Sequence, residues 1–293
     1  MPVIQPNNSF GVTSGQNHNA APFLKWAGGK GQLLKQYEKF IPNRDRIGRY
    51  FEPFIGSAAL FFYLQPPQAT LCDINHKLID VYRVVQQDVE NLIEALKVHK
   101  NNKTHYYRVR KMKPEKLTPV KQAARLIFLN KTCYNGLYRE NSRGEFNVPF
   151  GRYKNPTICD EDRLRNASCA LQGVELRDVD FEEAVEPAQA GDFIYFDPPY
   201  VPVTATSSFT SYNKYGFSHE DQVRLAETFR RLDRRGCYVM LSNSSAPVVY
   251  NLYEGYKITK IKARRSINSK ADGRGPVTEL LITNGNWRKI LGR

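Results

Sequence analysis

Several things are scarce in this sequence. No apolar run approaches 18 residues, which excludes a membrane-spanning helix. The opening stretch, MPVIQPNNSFGVTSGQNHNAA, lacks both the basic start and the apolar core of a signal peptide. Its Asn, Gln, Gly and Ser content predicts a disordered tail over residues 1–20. The five cysteines, Cys72, Cys133, Cys159, Cys169 and Cys237, form no CxxC pair, and the histidines show no ligand spacing with them. Neither a disulfide framework nor a metal site is expected, and a reducing cytoplasm is the simple setting. Internal repeats, a Ser–His–acid arrangement and the GxxxxGK[ST] phosphate loop are missing too. Acids are in short supply: 29 Asp/Glu face 43 Lys/Arg, for a net charge of +14.

That charge is unevenly placed. Residues 97–165 hold seventeen Lys/Arg against six Asp/Glu, a local +11, and KITKIKARRSINSKADGR (257–274) holds seven against one. Clustering of this kind points to a polyanion, with nucleic acid first and an uncommitted basic surface as the alternative.

The 293 residues have room for one large domain or two modest ones. RYFEPFIG (49–56), ATLCDIN (69–75), GVELRDVDF (173–181), DFIYF (192–196) and CYVMLSN (237–243) read as strands. Their continuous apolar runs suit a parallel sheet covered on both faces. In FSHEDQVRLAETFRRLDRRG, Ser218 and Asp221 predict a capped helix start and Gly236 a stop. Val223, Leu225, Ala226, Phe229 and Leu232 form its apolar stripe. YKITKIKA and VTELLITNG predict two strands making an antiparallel edge. The fold class is therefore α/β, doubly wound. The aromatic, basic segment 76–169 reads as an insertion that splits the core into 21–75 and 170–293.

In such sheets ligands bind outside the carboxyl ends of the strands, where FEPFIGSAAL, CDIN and FDPPY stand. Gly56 lets the backbone approach a ligand closely, although a plain tight turn explains it equally well. Asp73 suits a ribose diol, or else a helix cap. In FLKWAGGK, Trp26 suits an adenine-like ring, or else the core. Pro198 and Pro199 stiffen the backbone between Asp197 and Tyr200. Two acceptors at fixed spacing, the Asp197 carboxylate and the Pro198 carbonyl, suit an exocyclic NH₂ group. Tyr200 suits a planar base stacked beside them, or else the motif is a proline-capped strand end with Asp197 as a helix cap. Such an amine is a poor nucleophile, and acceptors on both its hydrogens favour the sp³ character it must develop.

Taken in order, FLKWAGGK, FEPFIGSAAL, CDIN, NGLYRENSRGEFNVPFGRYKNP, FDPPY, SSFTSY and ARRSINS resemble the Dam-type DNA adenine-N6 methyltransferases over residues 22–284. The resemblance implies a Rossmann-like class I methyltransferase core with an inserted, mainly helical and loop target-recognition domain. It implies S-adenosylmethionine as methyl donor, no metal, and adenine of GATC in double-stranded DNA as substrate. By the same motifs, Trp26, Lys30, Phe54, Gly56, Asp73 and Asp197 would line the cofactor pocket. Asp197, Pro198 and Tyr200 would hold a flipped adenine. Tyr134 would insert into the stack, and Leu137, Arg139 and Lys25 would read bases. Asn141, Arg152 and Tyr153 would approach the DNA, and the basic residues of ARRSINSK would hold phosphates. A monomer at the nucleoid is the expected form, with a cognate restriction endonuclease an open partner. One residue departs from the family pattern: Ala58 stands where the turn carries a second glycine, at a cost of roughly 1 kcal/mol if φ is positive there, and a somewhat altered pocket in an active enzyme is expected. The rivals are a cytosine-N4 or RNA adenine methyltransferase, which uses the same amine chemistry, and a non-catalytic DNA-binding protein on a decayed core.

Overall fold

Apolar side chains alternate between two covers along every central strand. The computed structural model describes residues 19–203, 217–264 and 276–285. The N-terminal tail up to residue 18, SSFTSY and most of ARRSINS lie outside the described residues. The first elements are α1 (Leu34–Tyr37), β1 (Tyr50–Glu52), α2 (Ala59–Leu64), β2 (Ala69–Cys72), α3 (His76–Gln87) and α4 (Val89–Lys97). Next come α5 (Lys103–Lys111), α6 (Pro119–Thr132), α7 (Glu161–Leu171), β3 (Glu175–Arg177), α8 (Phe181–Ala184) and β4 (Phe193–Phe196). The last are α9 (His219–Arg234), β5 (Tyr238–Ser244), α10 (Pro247–Leu252), β6 (Lys257–Arg264) and β7 (Pro276–Thr283).

The strands form one sheet in the order β3-β2-β1-β4-β5-β7-β6. β1 to β5 pair in parallel, with Tyr50 opposite both Ala69 and Phe193. β7 runs antiparallel to both its neighbours and inserts between β5 and β6. The expected antiparallel edge is present: β6 and β7 pair antiparallel at one side of the sheet, with β6 outermost and β7 internal. Burial explains this, since Leu280, Leu281 and Ile282 are all fully buried while β6 presents Lys257 and Lys262.

Period-two alternation sorts side chains between the two faces. Tyr50, Leu71, Phe193, Tyr195, Met240 and Leu281 join α2, α3, α4, α6 and α7 in one cluster. Phe51, Cys72, Ile194, Phe196, Leu241 and Ile282 join α8, α9 and α10 in the other. The fold is the mixed α/β, Rossmann-like arrangement expected. β1 and β2 are shorter than the runs that announced them, because Pro53 and Asp73 end their ladders early, while β5 is as long as its run. The α9 capping box forms as read, with Ser218 and Asp221 bonding each other's backbone amides at 3.1 and 2.8 Å. Within its stripe, Val223 is only half-buried, and Gln222 and Thr228 are buried instead.

A satellite core of Tyr106, Val109, Phe128, Leu129, Cys133, Phe146 and Val148 joins α5 and the end of α6 to an irregular hairpin. That hairpin is pinned to α3 by Lys77, whose Nζ meets Glu140 Oε1 at 2.7 Å and Gly144 O at 2.9 Å. Among the described residues no helix is long and apolar enough to cross a membrane.

Candidate functional site

The strand order reverses between β1 and β4, so the connections leaving their carboxyl ends part company and leave a crevice. FEPF follows β1 and DPPY follows β4, so the topology alone sets these two motifs side by side. A cleft of about 710 Å³ opens there, lined by Trp26, Lys30, Phe54, Gly56, Asp73, Asp197, Pro198 and Tyr200 among others. All eight residues expected for cofactor and base binding therefore border one space.

At its centre lies an ion pair. Lys30 Nζ meets Asp197 Oδ1 at 2.8 Å, with the lysine buried and 20% of the aspartate side chain exposed to the cleft. The same ammonium donates to Gly28 O at 2.6 Å and sits 4.9 Å from the centre of the Tyr200 ring. Lys30 thus orients the proposed base-binding acid rather than merely lining the pocket. Burial raises the Asp197 pKa to about 6 against the opposing pull of Lys30, and Glu279 adds a further upward push. Glu279, on β7, also accepts the Tyr200 hydroxyl at 2.8 Å, which fixes the tilt of that ring. Beneath them, Ser242 Oγ lies 2.7 Å from Tyr195 Oη and 3.1 Å from Tyr37 Oη, a closed hydroxyl chain under the floor.

Toward β2, Asp73 takes the Asn75 N–H at 2.9 Å, while Asn75 caps α3. Burial raises its pKa to about 6, against the bonds from the Asn75 and Gly56 amides. A desolvated carboxylate on a cleft wall is suited to further neutral donors, such as a ribose diol. Gly56 has φ +45°, and a Cβ there would lie 2.8 Å from Trp26 Cδ1. The turn is therefore built to let the indole close over it. Trp26 stacks on Tyr138 of the hairpin at 5.4 Å, so the hairpin roofs the pocket. Phe54 stacks on Phe181 at 5.6 Å, with Phe217 edge-on at 5.7 Å, making an apolar wall beyond Asp73. Glu52, at the end of β1, is buried and bonded by Tyr50 Oη at 2.9 Å, and burial raises its pKa to about 8.

Ala58 does sit in the left-handed region, at φ +54°, as the missing glycine implied. Its methyl, however, is fully buried in the apolar cluster and does not line the cleft. The expected change in the pocket is corrected: the substitution is absorbed by the core.

The residues expected to approach DNA collect around the hairpin. Lys25 Nζ lies 4.2 Å from the centre of the Tyr153 ring. Gly136, at φ +63°, leaves room for the Lys25 side chain, which a Cβ would strike at 2.7 Å. Tyr134 is 46% exposed, Arg139 and Arg152 are exposed, and Arg152 holds φ +55°. Arg139 is braced by Asn147, whose Oδ1 accepts Nε–H at 2.7 Å. Two residues are more constrained than the sequence suggested. Leu137 packs against the satellite core. Asn141 Oδ1 accepts the Arg143 and Glu145 amides at 3.0 Å each, a turn-forming role.

Sequence reasoning missed Asn130, Tyr138 and Glu279. Asn130, fully buried on α6, clasps the Lys25 amide and carbonyl at 2.8 and 2.7 Å and reaches Gly136 O at 3.2 Å. Its one signal was a polar residue in the apolar run LIFLN.

Residues 26–267 match the family model described as D12 class N6 adenine-specific DNA methyltransferase. The chain is 46% identical over 274 residues to the Type II methyltransferase M1.LlaDCHI of Lactococcus lactis subsp. cremoris, covering 91% of this chain and 96% of the relative. It is 48% identical over 284 residues to the Type II methyltransferase M.MjaIII of Methanocaldococcus jannaschii, covering 90% and 98%. A DNA adenine methylase of Escherichia coli K12 is 35% identical over 263 residues, covering 88% and 93%.

Proposed function

The chain belongs to the D12 class of N6 adenine-specific DNA methyltransferases, and from that membership we propose that it methylates adenine within GATC, on duplex DNA, with S-adenosylmethionine as donor. Membership resolves the choice between adenine and cytosine, and between an enzyme and a decayed core. The proposal adds the site, the donor and the residues that act.

The observation that carries it is the convergence of Asp73, Asp197, Pro198 and Tyr200 on one cleft, roofed by the DNA-facing hairpin through Trp26 and Tyr138. The residues fit S-adenosylmethionine: a cleft of about 710 Å³, a desolvated Asp73 for the ribose, and an aromatic wall for a purine. When bound, that group supplies a methyl on a positively charged sulfur. The chain's own residues do the rest. Adenine leaves the stack at a cost of a few kcal/mol, of which stacking on Tyr200 returns roughly 1–3 kcal/mol. The Asp197 carboxylate and Pro198 carbonyl accept the two amino hydrogens and draw the nitrogen toward sp³ geometry. Lys30 keeps Asp197 ionised and aimed, and with a pKa near neutrality that carboxylate can take the proton the amine sheds.

We assign target recognition to segment 76–169. Its satellite core carries the hairpin, while α3, α4 and α7 also cover the sheet. Tyr134 would enter the stack, Arg139 and Lys25 would meet guanine edges with Leu137 beside them, and Asn141, Arg152 and Tyr153 would approach the duplex. In the test, Asp197→Ala abolishes methyl transfer while GATC duplex affinity stays within a few-fold. Retained turnover overturns the reading.

A further inference from the structure

Two amides lie where packing calls for hydrocarbon. By the alternation of β5, Asn243 falls on the same face as Val239 and Leu241, the face covered by α9. Asn243 is fully buried, and Gln222 in the first turn of α9 is 3% exposed. Buried polar side chains persist when their partners are met, and here the partners are informative. Asn243 Nδ2 donates to Gln222 Oε1 at 3.0 Å, and Gln222 Nε2 donates to Pro199 O at 3.0 Å. Asn243 Oδ1 accepts the Val201 amide at 3.1 Å and the Ser244 amide at 2.8 Å.

The pair therefore grips the backbone just before and just after Tyr200. Neither side chain lines the cleft. α9 and β5 have no need of it to pack, since Leu225, Phe229, Val239 and Leu241 already bury that contact.

We propose that Gln222 and Asn243 are positioning residues for methyl transfer, a clasp that fixes the backbone on either side of Tyr200 and with it the ring that holds the base. This rests on the reading of Asp197, Pro198 and Tyr200 as the groups that hold the base. The two prolines limit their own φ and bias ψ at Asp197 and Pro198, but ψ at Pro199, which sets the approach to Tyr200, stays free, so they cannot fix the loop alone. The clasp supplies the missing constraint from outside the site. Its loss loosens the reacting amine without touching Asp73 or the hairpin. The effect falls on kcat, and the KM for DNA and the affinity for S-adenosylmethionine stay near wild type.

Gln222→Glu isolates the decisive bond. The carboxylate still accepts from Asn243, but it can donate to Pro199 O only when protonated. A carboxyl buried there titrates well above its usual range, so turnover relative to wild type is about tenfold down near pH 8.5 and recovers toward about pH 6.5. A purely structural role gives no such recovery. The Gln222→Leu/Asn243→Leu double variant fills the same space with hydrocarbon. It leaves the Pro199 carbonyl and the Val201 and Ser244 amides without these partners, so its melting temperature falls; assayed where it is folded, it is expected to lose about tenfold in kcat at every pH and to show a broadened lifetime distribution for 2-aminopurine at the target base. A ratio to wild type that is flat in pH for Gln222→Glu, or kcat within twofold of wild type for the double variant, overturns the proposal. If Gln222→Glu does not fold, the double variant decides. Asp197→Ala is assayed alongside. Should it stay active, the base-holding reading fails; should it be dead while both clasp variants turn over normally, only the clasp fails.

Discussion

Replacing Lys30 with methionine removes the positive partner of Asp197 and keeps most of the side-chain volume. The ion pair is 2.8 Å long and its lysine is buried, so the carboxylate has no ready substitute. Removing one member of a buried pair costs about 3–5 kcal/mol. With a fifth of Asp197 exposed to the cleft, water recovers part of that, leaving about 2 kcal/mol against the ionised form. That is about 1.5 pH units. The sign follows from the role. Only the ionised carboxylate accepts well from the amino group, so activity falls as pH drops through the Asp197 pKa of about 6. Loss of Lys30 raises that pKa, and the acid limb of the profile moves toward about pH 7.5. The assay is kcat/KM for a hemimethylated duplex against pH, which reports the free enzyme. An acid limb that stays put in Lys30→Met refutes the pairing as the control of Asp197.

Gly56→Ala places a Cβ 2.8 Å from Trp26 Cδ1 at φ +45°, so the indole is displaced and calorimetry shows S-adenosylmethionine binding weakened at least about tenfold; unchanged affinity contradicts the cradle. In Ala58→Gly, relief of about 1–2 kcal/mol at φ +54° is offset by a lost buried methyl and a floppier unfolded chain, so denaturant midpoints shift by less than about 1 kcal/mol in either direction. Cofactor affinity is unchanged in that variant, and a large loss would return Ala58 to the pocket. Asn130→Ala strands the Lys25 amide and carbonyl and the Gly136 carbonyl, costing about 2–4 kcal/mol in urea unfolding and weakening DNA binding through Lys25. A loss under about 1 kcal/mol would mean the clasp is dispensable.

What the sequence made legible was what is local. Pro53, Asp73 and Asp197 follow apolar runs, and a buried strand that stops at a proline or an acid delivers that residue to the carboxyl edge of the sheet. The Ser218–Asp221 box and the strained φ at Ala58 were equally readable, since each depends on a few neighbouring residues. Strand order was not. Alternation along β6 and β7 gives their existence, but only the burial of Leu280 and Ile282 on one face and Leu281 on the other places β7 inside the sheet. Pairings between distant segments were hidden for the same reason. Lys30 with Asp197, Glu279 with Tyr200, and Trp26 with Tyr138 are each unremarkable residues until the fold joins them. Buried polar residues inside apolar runs, Asn130 in LIFLN and Asn243 in VMLSN, were the one overlooked signal. A polar group placed in hydrocarbon implies a partner, and the partner is where function lies.

The most direct test of GATC adenine methylation is base-resolution mapping of N6-methyladenine in DNA from a host without its own adenine methylation, after expression of this chain. N6-methyladenine is expected at GATC on both strands, and none with Asp197→Ala. Methylation centred on another sequence would contradict the assigned hairpin contacts, and modification of cytosine would contradict the site itself.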